Sequence, residues 1–200
     1  KYLLPFLGLR VAHRLHKKHN YLFIWSLMAS YGGLAGALFK TITHIPLLVT
    51  LADQDLARAS SLARLALKLI FSRADQVYGV SLAQETHAAR ITQKPLRQSM
   101  GQGDAFANQL RYAYAEILSK LPSVRSSKKK VLIFSLAYFP LSVGGAEVAI
   151  KEITERMPDV EFHLITARPD VTLAAEEKMG NVHVHRVGSG SSYFAKMLFI

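Results

Sequence analysis

The sequence predicts an α/β protein with a doubly wound, mainly parallel sheet of about six strands and helices on both faces. Three observations lead there. Short apolar runs such as PLLVTL at 46–51 and VLIFSLA at 131–137 are continuous rather than alternating, as strands buried on both faces require. Amphipathic segments long enough for helices separate them at the spacing of strand–helix–strand units. Gly144 and Gly145 stand between one such run and the helix that follows it.

The elements follow in order. Residues 1–19 form a basic amphipathic helix on Leu4, Leu7, Val11 and Leu15, interrupted near Pro5 and Gly8. It either packs on the sheet with a solvated basic face or lies on an anionic membrane. Leu22–Met28 is a strand; Ser30–Gly33 breaks it, and a helix runs to about Lys40. Tyr21–Phe39 has 19 residues without a charge, long enough for a membrane span, but its aromatic start and glycine break fit strand, turn and helix better. Pro46–Leu51 is a strand, and Leu56–Phe71 is a helix with Leu62, Leu65, Ala66 and Leu69 inward. Gln76–Val80 is a strand, followed by Ser81 as a helix cap. After irregular residues 93–103, Asp104 caps a helix to Lys120 with Phe106, Leu110, Ala113 and Ile117 inward. Strand 131–137, helix 145–157 and strand 160–166 come next. A loop carries Asp170 to Glu177, and strand 181–187 leads to a Gly-Ser turn and a last helical segment.

The 200 residues make one domain. Residues 1–120 supply one half and a closing helix, 121–130 (LPSVRSSKKK) a linker, and 131–200 the other half. The formal net charge of +11, from 25 Lys and Arg against 14 Asp and Glu, favours anionic partners. Nucleic acid is disfavoured, because no reader motif or aromatic interleaving accompanies the charge. The absence of cysteine excludes disulfides, thiolate metal sites and cysteine nucleophiles. The first residues lack the pattern of a signal peptide. No P-loop or nucleophile elbow occurs.

Placing Ile200 before Lys1 continues one helical stripe, Phe194, Met197, Ile200, Leu4, Leu7, Val11 and Leu15, across the junction. The linker and this stripe predict a circular permutation within the helix between the third and fourth strands.

Read cyclically from Lys128, the sequence resembles the N-terminal, Rossmann-like domain of a family-4 glycosyltransferase of the GT-B fold. The resemblance lies in PLSVGGAEVAI at 140–150, HLITARPD at 163–170 and HNYLFIWSLMASYGG at 19–33. It continues in PLLVTLADQD at 46–55, similar to "PxVxTxHGxD", and RADQVYGVS at 73–81, similar to "ADxVxAVS". It covers about 150 residues. Residues 96–121 are similar to the closing helix of such enzymes. The resemblance implies sugar transfer from a nucleotide sugar, with this half holding a sugar or lipid-linked acceptor and a second domain holding the donor. A cytoplasmic protein without a cofactor is expected, with peripheral attachment to an anionic membrane as a further expectation.

The candidate ligand-binding residues are Gly144, Gly145, Glu147, Thr50 and Asp55. Gly144 and Gly145 either bring backbone amides to a ligand's oxygens or make a packing turn. Glu147 suits the first helical turn. Thr50 and Asp55 lie beyond a strand's carboxyl end, where open α/β sheets bind ligands. Asp55 holds an acceptor hydroxyl or caps the next helix, and is the one catalytic candidate. Ala52 and Asp53 stand where the family writes His and Gly. Glu147 and Glu155 have the eight-residue spacing of the family's glutamate pair, but on the wrong element. Without a donor domain the cleft stays open, so negligible transfer by this chain alone is expected. The alternatives are an engineered scaffold, or an acceptor- or membrane-binding subunit. The eight histidines give no metal pattern; His183 and His185 share a strand face, but two ligands are too few.

Overall fold

A computed structural model describes residues 4–27, 31–51, 61–79, 97–98, 112, 115–116, 129–140 and 144–188. The helices are α1 (Leu4–His16), α2 (Tyr31–Thr43), α3 (Ser61–Arg73) and α4 (Gly145–Glu155). The strands are β1 (Phe23–Leu27), β2 (Leu47–Thr50), β3 (Gln76–Gly79), β4 (Arg97–Gln98), β5 (Lys129–Phe134), β6 (Val160–Ala167), β7 (Glu176–Met179) and β8 (Val182–Val187). They form one eight-stranded sheet in the order β4-β3-β2-β1-β5-β6-β8-β7. Every pairing is parallel except that of β7 with β8. The α/β, doubly wound fold predicted from the alternation of elements is therefore present, with two strands beyond the six expected.

The lysine-led strand β5 is central. It pairs with β1 (Trp25 beside Ile133) on one side and with β6 (Leu132 beside His163) on the other. Taken in the order β5, β6, β8, β1, β2, β3, the strands lie across the sheet as 3-2-1-4-5-6.

Both sheet faces are apolar, so neighbouring residues of one strand serve different cores. Ile24, Leu47, Val49, Leu132, Phe134 and Ile165 pack under α1, α2 and α3 against Ala12, Leu15, Ala35, Phe39, Ile70 and Phe71. Trp25, Val131, Ile133, Phe162, Leu164 and Val184 pack against Ile150 and Ile153 of α4 and Met157 beyond it. The uncharged stretch 21–39 divides into strand and helix, and among the described residues no helix is long and apolar enough to cross a membrane.

Several local expectations change. Helix α1 is continuous through Pro5 and Gly8, because proline in a first turn removes no needed amide bond. Its buried stripe is Pro5, Gly8, Ala12 and Leu15, while Leu7 faces solvent. Helix α2 begins at Tyr31, so Gly32 and Gly33 lie inside its first turn instead of before it. In α3 the buried side chains are Leu67, Ile70 and Phe71, and Leu65 is exposed. This segment is apolar enough for two stripes, and the bulkier one won the sheet. Strand β5 starts at Lys129, two residues inside the expected linker.

The loop drawn from Asp170 to Glu177 ends in strand β7. A two-residue turn, Gly180–Asn181, joins β7 to β8, and Gly180 adopts φ +60°, which glycine accepts without strain. The caps at Ser81 and Asp104, most of the helix to Lys120, the linker up to residue 128, the Gly-Ser turn and the Ile200–Lys1 junction lie outside the described residues.

Candidate functional site

Chain crossovers diverge between β5 and β1. Strand β5 leads to α4 on one face, and β1 leads to α2 on the other. Beyond the carboxyl ends of two such strands, the departing loops leave a crevice that binds ligands in open α/β sheets. Gly32 lets α2 start against this edge: a Cβ there would sit 3.1 Å from the Phe134 carbonyl oxygen. Beside it, a shallow, open depression lies at the ends of β5, β6 and β8, under α1 and α2. Gly8, Gly32, Phe134, Ser135, Thr166 and Val187 are among its walls. The Thr166 hydroxyl is buried and has no hydrogen-bond partner among the described residues; strand alternation sends it to the face opposite Ile165.

The polar residues around this edge mostly brace loops. The Ser135 hydroxyl donates to the Ala137 carbonyl at 2.9 Å. Arg186 is buried; it donates to Phe139 O at 2.9 Å and Ala174 O at 3.0 Å, and pairs with Glu177 at 2.7 Å. One guanidinium thus ties together the loop after β5, the 170–175 segment and β7. Arg168 donates to the carbonyls of Leu173 (2.9 Å) and Val171 (2.8 Å). Asp170 accepts from the amide and hydroxyl of Thr172, both at 2.8 Å, and these bonds hold its carboxyl below the usual range.

The sequence-predicted residues fall on this edge in different states. Thr50 ends β2 and is buried; its Oγ1 accepts from the Trp25 indole at 3.3 Å and donates to Ser26 O at 3.5 Å. Gly144 precedes α4 with extended backbone, φ −121° and ψ 179°, and Gly145 opens the helix. Glu147 is buried, and its Oε2 accepts from the Gly144 amide at 2.8 Å, which caps the helix. A carboxylate already at this terminus weakens its attraction for a second anion. Glu155 is exposed and pairs with Lys151 at 3.8 Å, one turn earlier. Asp55, Ala52 and Asp53 lie outside the described residues.

The opposite, amino edge carries a cluster that the spacing in sequence did not bring out. Glu161 and His163 alternate on β6, His183 and His185 on β8, and His19 comes from the segment joining α1 to β1. Parallel register sets His163 directly beside His183. The His163 ring stacks on those of His183 (4.9 Å, 9°) and His185 (5.4 Å, 7°), and lies 4.5 Å from His19. His163 Nε2 is 2.9 Å from Glu161 Oε1, and its Nδ1 is 3.2 Å from His185 Nε2. Lys130 donates to His19 Nδ1 at 3.0 Å and pairs with Glu161 at 3.3 Å.

Burial pushes His163 down to about 4, against the opposing pull of Glu161, so the ring is neutral near pH 7. Burial also lowers His19 and His185. Burial raises Glu161, but hydrogen bonds from His163 and Lys130 outweigh it and leave the carboxyl below its ordinary value. The signal in sequence was HLI on one strand and HVH on the next, legible only once parallel pairing set them in register.

No protein-family model matches the chain, and no curated protein is similar to it. Among solved structures, a pyridoxal 5'-phosphate-dependent aspartate racemase is similar over 84% of this chain and 48% of its own, with 13% identity and a TM-score of 0.29. The chain spans about half the length of that racemase chain, and so loose a likeness carries no argument about chemistry.

Proposed function

We propose that this is the acceptor-side domain of a nucleotide-sugar-dependent glycosyltransferase, cyclically rearranged. The observation that supports it most is the 3-2-1-4-5-6 strand order counted from β5, with the crossovers diverging between β5 and β1. It agrees with the motif order read from Lys128. The depression beside that point has apolar walls and glycines that permit close approach. Such lining suits a sugar ring or the head of a lipid-linked acceptor better than a diphosphate. Gly144, Gly145, Glu147 and Thr50 belong to the same edge in this reading. Glu147 and Thr50 act by shaping loops, and Asp55 is proposed, from the sequence alone, as the partner of an acceptor hydroxyl.

Transfer also needs a donor wall that excludes water and holds the leaving diphosphate. The 200-residue domain alone therefore turns over negligibly. The test is a turnover assay with a panel of nucleotide sugars, paired with NMR titration of glycoside acceptors. The expected result is no transfer, with acceptor-induced shifts at Thr166 and Ser135. Clear transfer overturns the inactivity, and shifts confined to other surfaces overturn the site.

A second reading concerns attachment to a membrane. The outer face of α1 exposes Phe6 (61%) and Leu7 (37%) beside exposed Arg10, Arg14, Lys17 and Lys18. Apolar and basic residues together are what an anionic bilayer surface takes up. Pelleting with anionic but not neutral vesicles is expected, and equal recovery with both overturns this reading.

A further inference from the structure

The amino-edge cluster plays no part in the acceptor reading. We propose that His19, Glu161 and His163, joined by His183, form a binding site for a divalent transition metal of the zinc class. One ligand atom from each of His19, Glu161 and His163 lies within 4.8 Å of the others. The His183 Nε2 is 3.9 Å from Glu161 Oε1. Donors around one zinc ion stand about 3–3.5 Å apart, given metal–ligand bonds of about 2.0–2.2 Å. Glu161 and His163, at 2.9 Å, are already near that separation, and His19 and His183 have only to draw in.

The chemistry of the donors agrees. Three imidazoles and a carboxylate suit zinc, cobalt or nickel and do not suit magnesium or calcium. Ligation requires neutral imidazole, and burial keeps His163 neutral. With Nε2 on the metal, His163 Nδ1–H donates to His185 Nε2 at 3.2 Å, and His185 Nδ1 faces Glu176 at 3.6 Å. A ligating histidine is oriented by such a partner on its second nitrogen. His185 Nδ1 has no hydrogen bond among the described residues, so it can complete this relay.

A cation already stands at the site. The Lys130 ammonium lies 3.0 Å from His19 Nδ1 and 3.3 Å from Glu161 Oε1. It neutralises the carboxylate when no metal is bound, and it must swing out when one arrives. The Lys130 and Glu161 side chains are each 21% exposed and His183 is 33% exposed, so solvent gives the ion a route in and the lysine a route out. Metal and Lys130 therefore compete for the same donors, which a buried histidine network with a purely packing role does not predict.

The test is titration of the chelator-stripped protein with Co(II), read by its ligand-field absorption, with Zn(II) competition to rank affinity. One saturable equivalent with tetrahedral intensity is expected. Removing the competing charge in Lys130→Met should tighten binding by about tenfold or more, while His185→Gln should weaken it by about 10–100-fold. His163→Gln should abolish it. Because His163 is buried and its loss can unfold the sheet, His183→Gln on the exposed side gives an independent reading, with weaker binding expected in a folded protein. Wild-type protein that takes up no cobalt overturns the proposal, even if Lys130→Met binds. So does affinity unchanged by both His183→Gln and Lys130→Met, or weakened by the latter.

Discussion

At the carboxyl edge, Arg186, Arg168, Ser135 and Thr50 send polar atoms mainly to backbone oxygens of adjacent loops and strands. At the amino edge, His163, His185, Glu161, His19 and Lys130 address one another's side chains. The first arrangement fixes loop shape and leaves an uncharged crevice; the second gathers titratable groups whose protonation is coupled. One sheet thus separates an edge whose polar groups brace the backbone from one whose polar groups address each other.

Removing the brace of the first edge should have the largest effect. Arg186→Met leaves the Phe139 and Ala174 carbonyls unpaired and Glu177 without its partner. Glu177 is exposed and can be resolvated, so the cost comes mainly from the two lost charged-donor hydrogen bonds, about 1.5–3 kcal/mol each, and urea denaturation will measure it. An undiminished midpoint would mean that the loops hold themselves.

The second edge should reveal itself through pH. In the metal-free protein His163 binds its proton at about 4 when folded, against an ordinary value of 6.5 that the unfolded chain retains. Between these values the unfolded chain holds more protons, so stability rises with pH. The contribution is fully present above 6.5 and is lost as pH falls towards 4. It amounts to about 3 kcal/mol at about 1.36 kcal/mol per unit. Glu161, also lowered, acts in the same direction below its own ordinary value. Denaturation at about pH 7.5 and about pH 4.5 checks this, and His163→Gln should flatten the difference. A stability independent of pH in this window would remove the contrast between the edges.

Two glycines of the crevice sharpen the comparison further. At Gly32 a Cβ meets the Phe134 carbonyl oxygen at 3.1 Å, whereas at Gly8 it meets only side-chain carbons at 3.7 and 3.8 Å. Gly32→Val should destabilise by about 1–3 kcal/mol through overpacking. Gly8→Ala should stabilise by about 0.5–1 kcal/mol through helix propensity. Thermal melts of the two variants should shift in opposite directions. A comparably small effect is expected at the start of α4. Glu147→Ala frees the Gly144 amide and should cost about 1 kcal/mol, read as a small fall in melting temperature.

The strands of the central sheet were legible because runs such as VLIF and PLLVT are apolar at nearly every position, and no other soluble element tolerates that in so few residues. Helix faces were harder. In α3, Leu65, Leu67, Leu69, Ile70 and Phe71 offer two stripes, and only packing in the core shared with β2 and β3 chose between them. Strand β7 is charged and edge-exposed, so its period was hidden; the Gly180–Asn181 pair was the cue to a hairpin. Thr50 and Glu147 were found as polar residues beside the crevice, but their partners, Trp25 and the Gly144 amide, depend on three-dimensional register or cap geometry. The histidine cluster draws on three segments, the first of them far in the chain from the other two, which no local spacing can reveal.

The central position of β5 has a consequence for synthesis. Strands β1, β2 and β3 leave the ribosome early and can pair among themselves, but the flank of β1 that will meet β5 then has no neighbour. Phe23, Ile24 and Trp25, all covered in the finished protein, wait for a stretch roughly a hundred residues downstream, about 5–20 s at ordinary translation speed. During that interval the nascent chain presents an open, apolar strand margin, the kind of template on which polypeptides join one another. Yield in cells should therefore depend on chaperone capacity more steeply than final stability suggests.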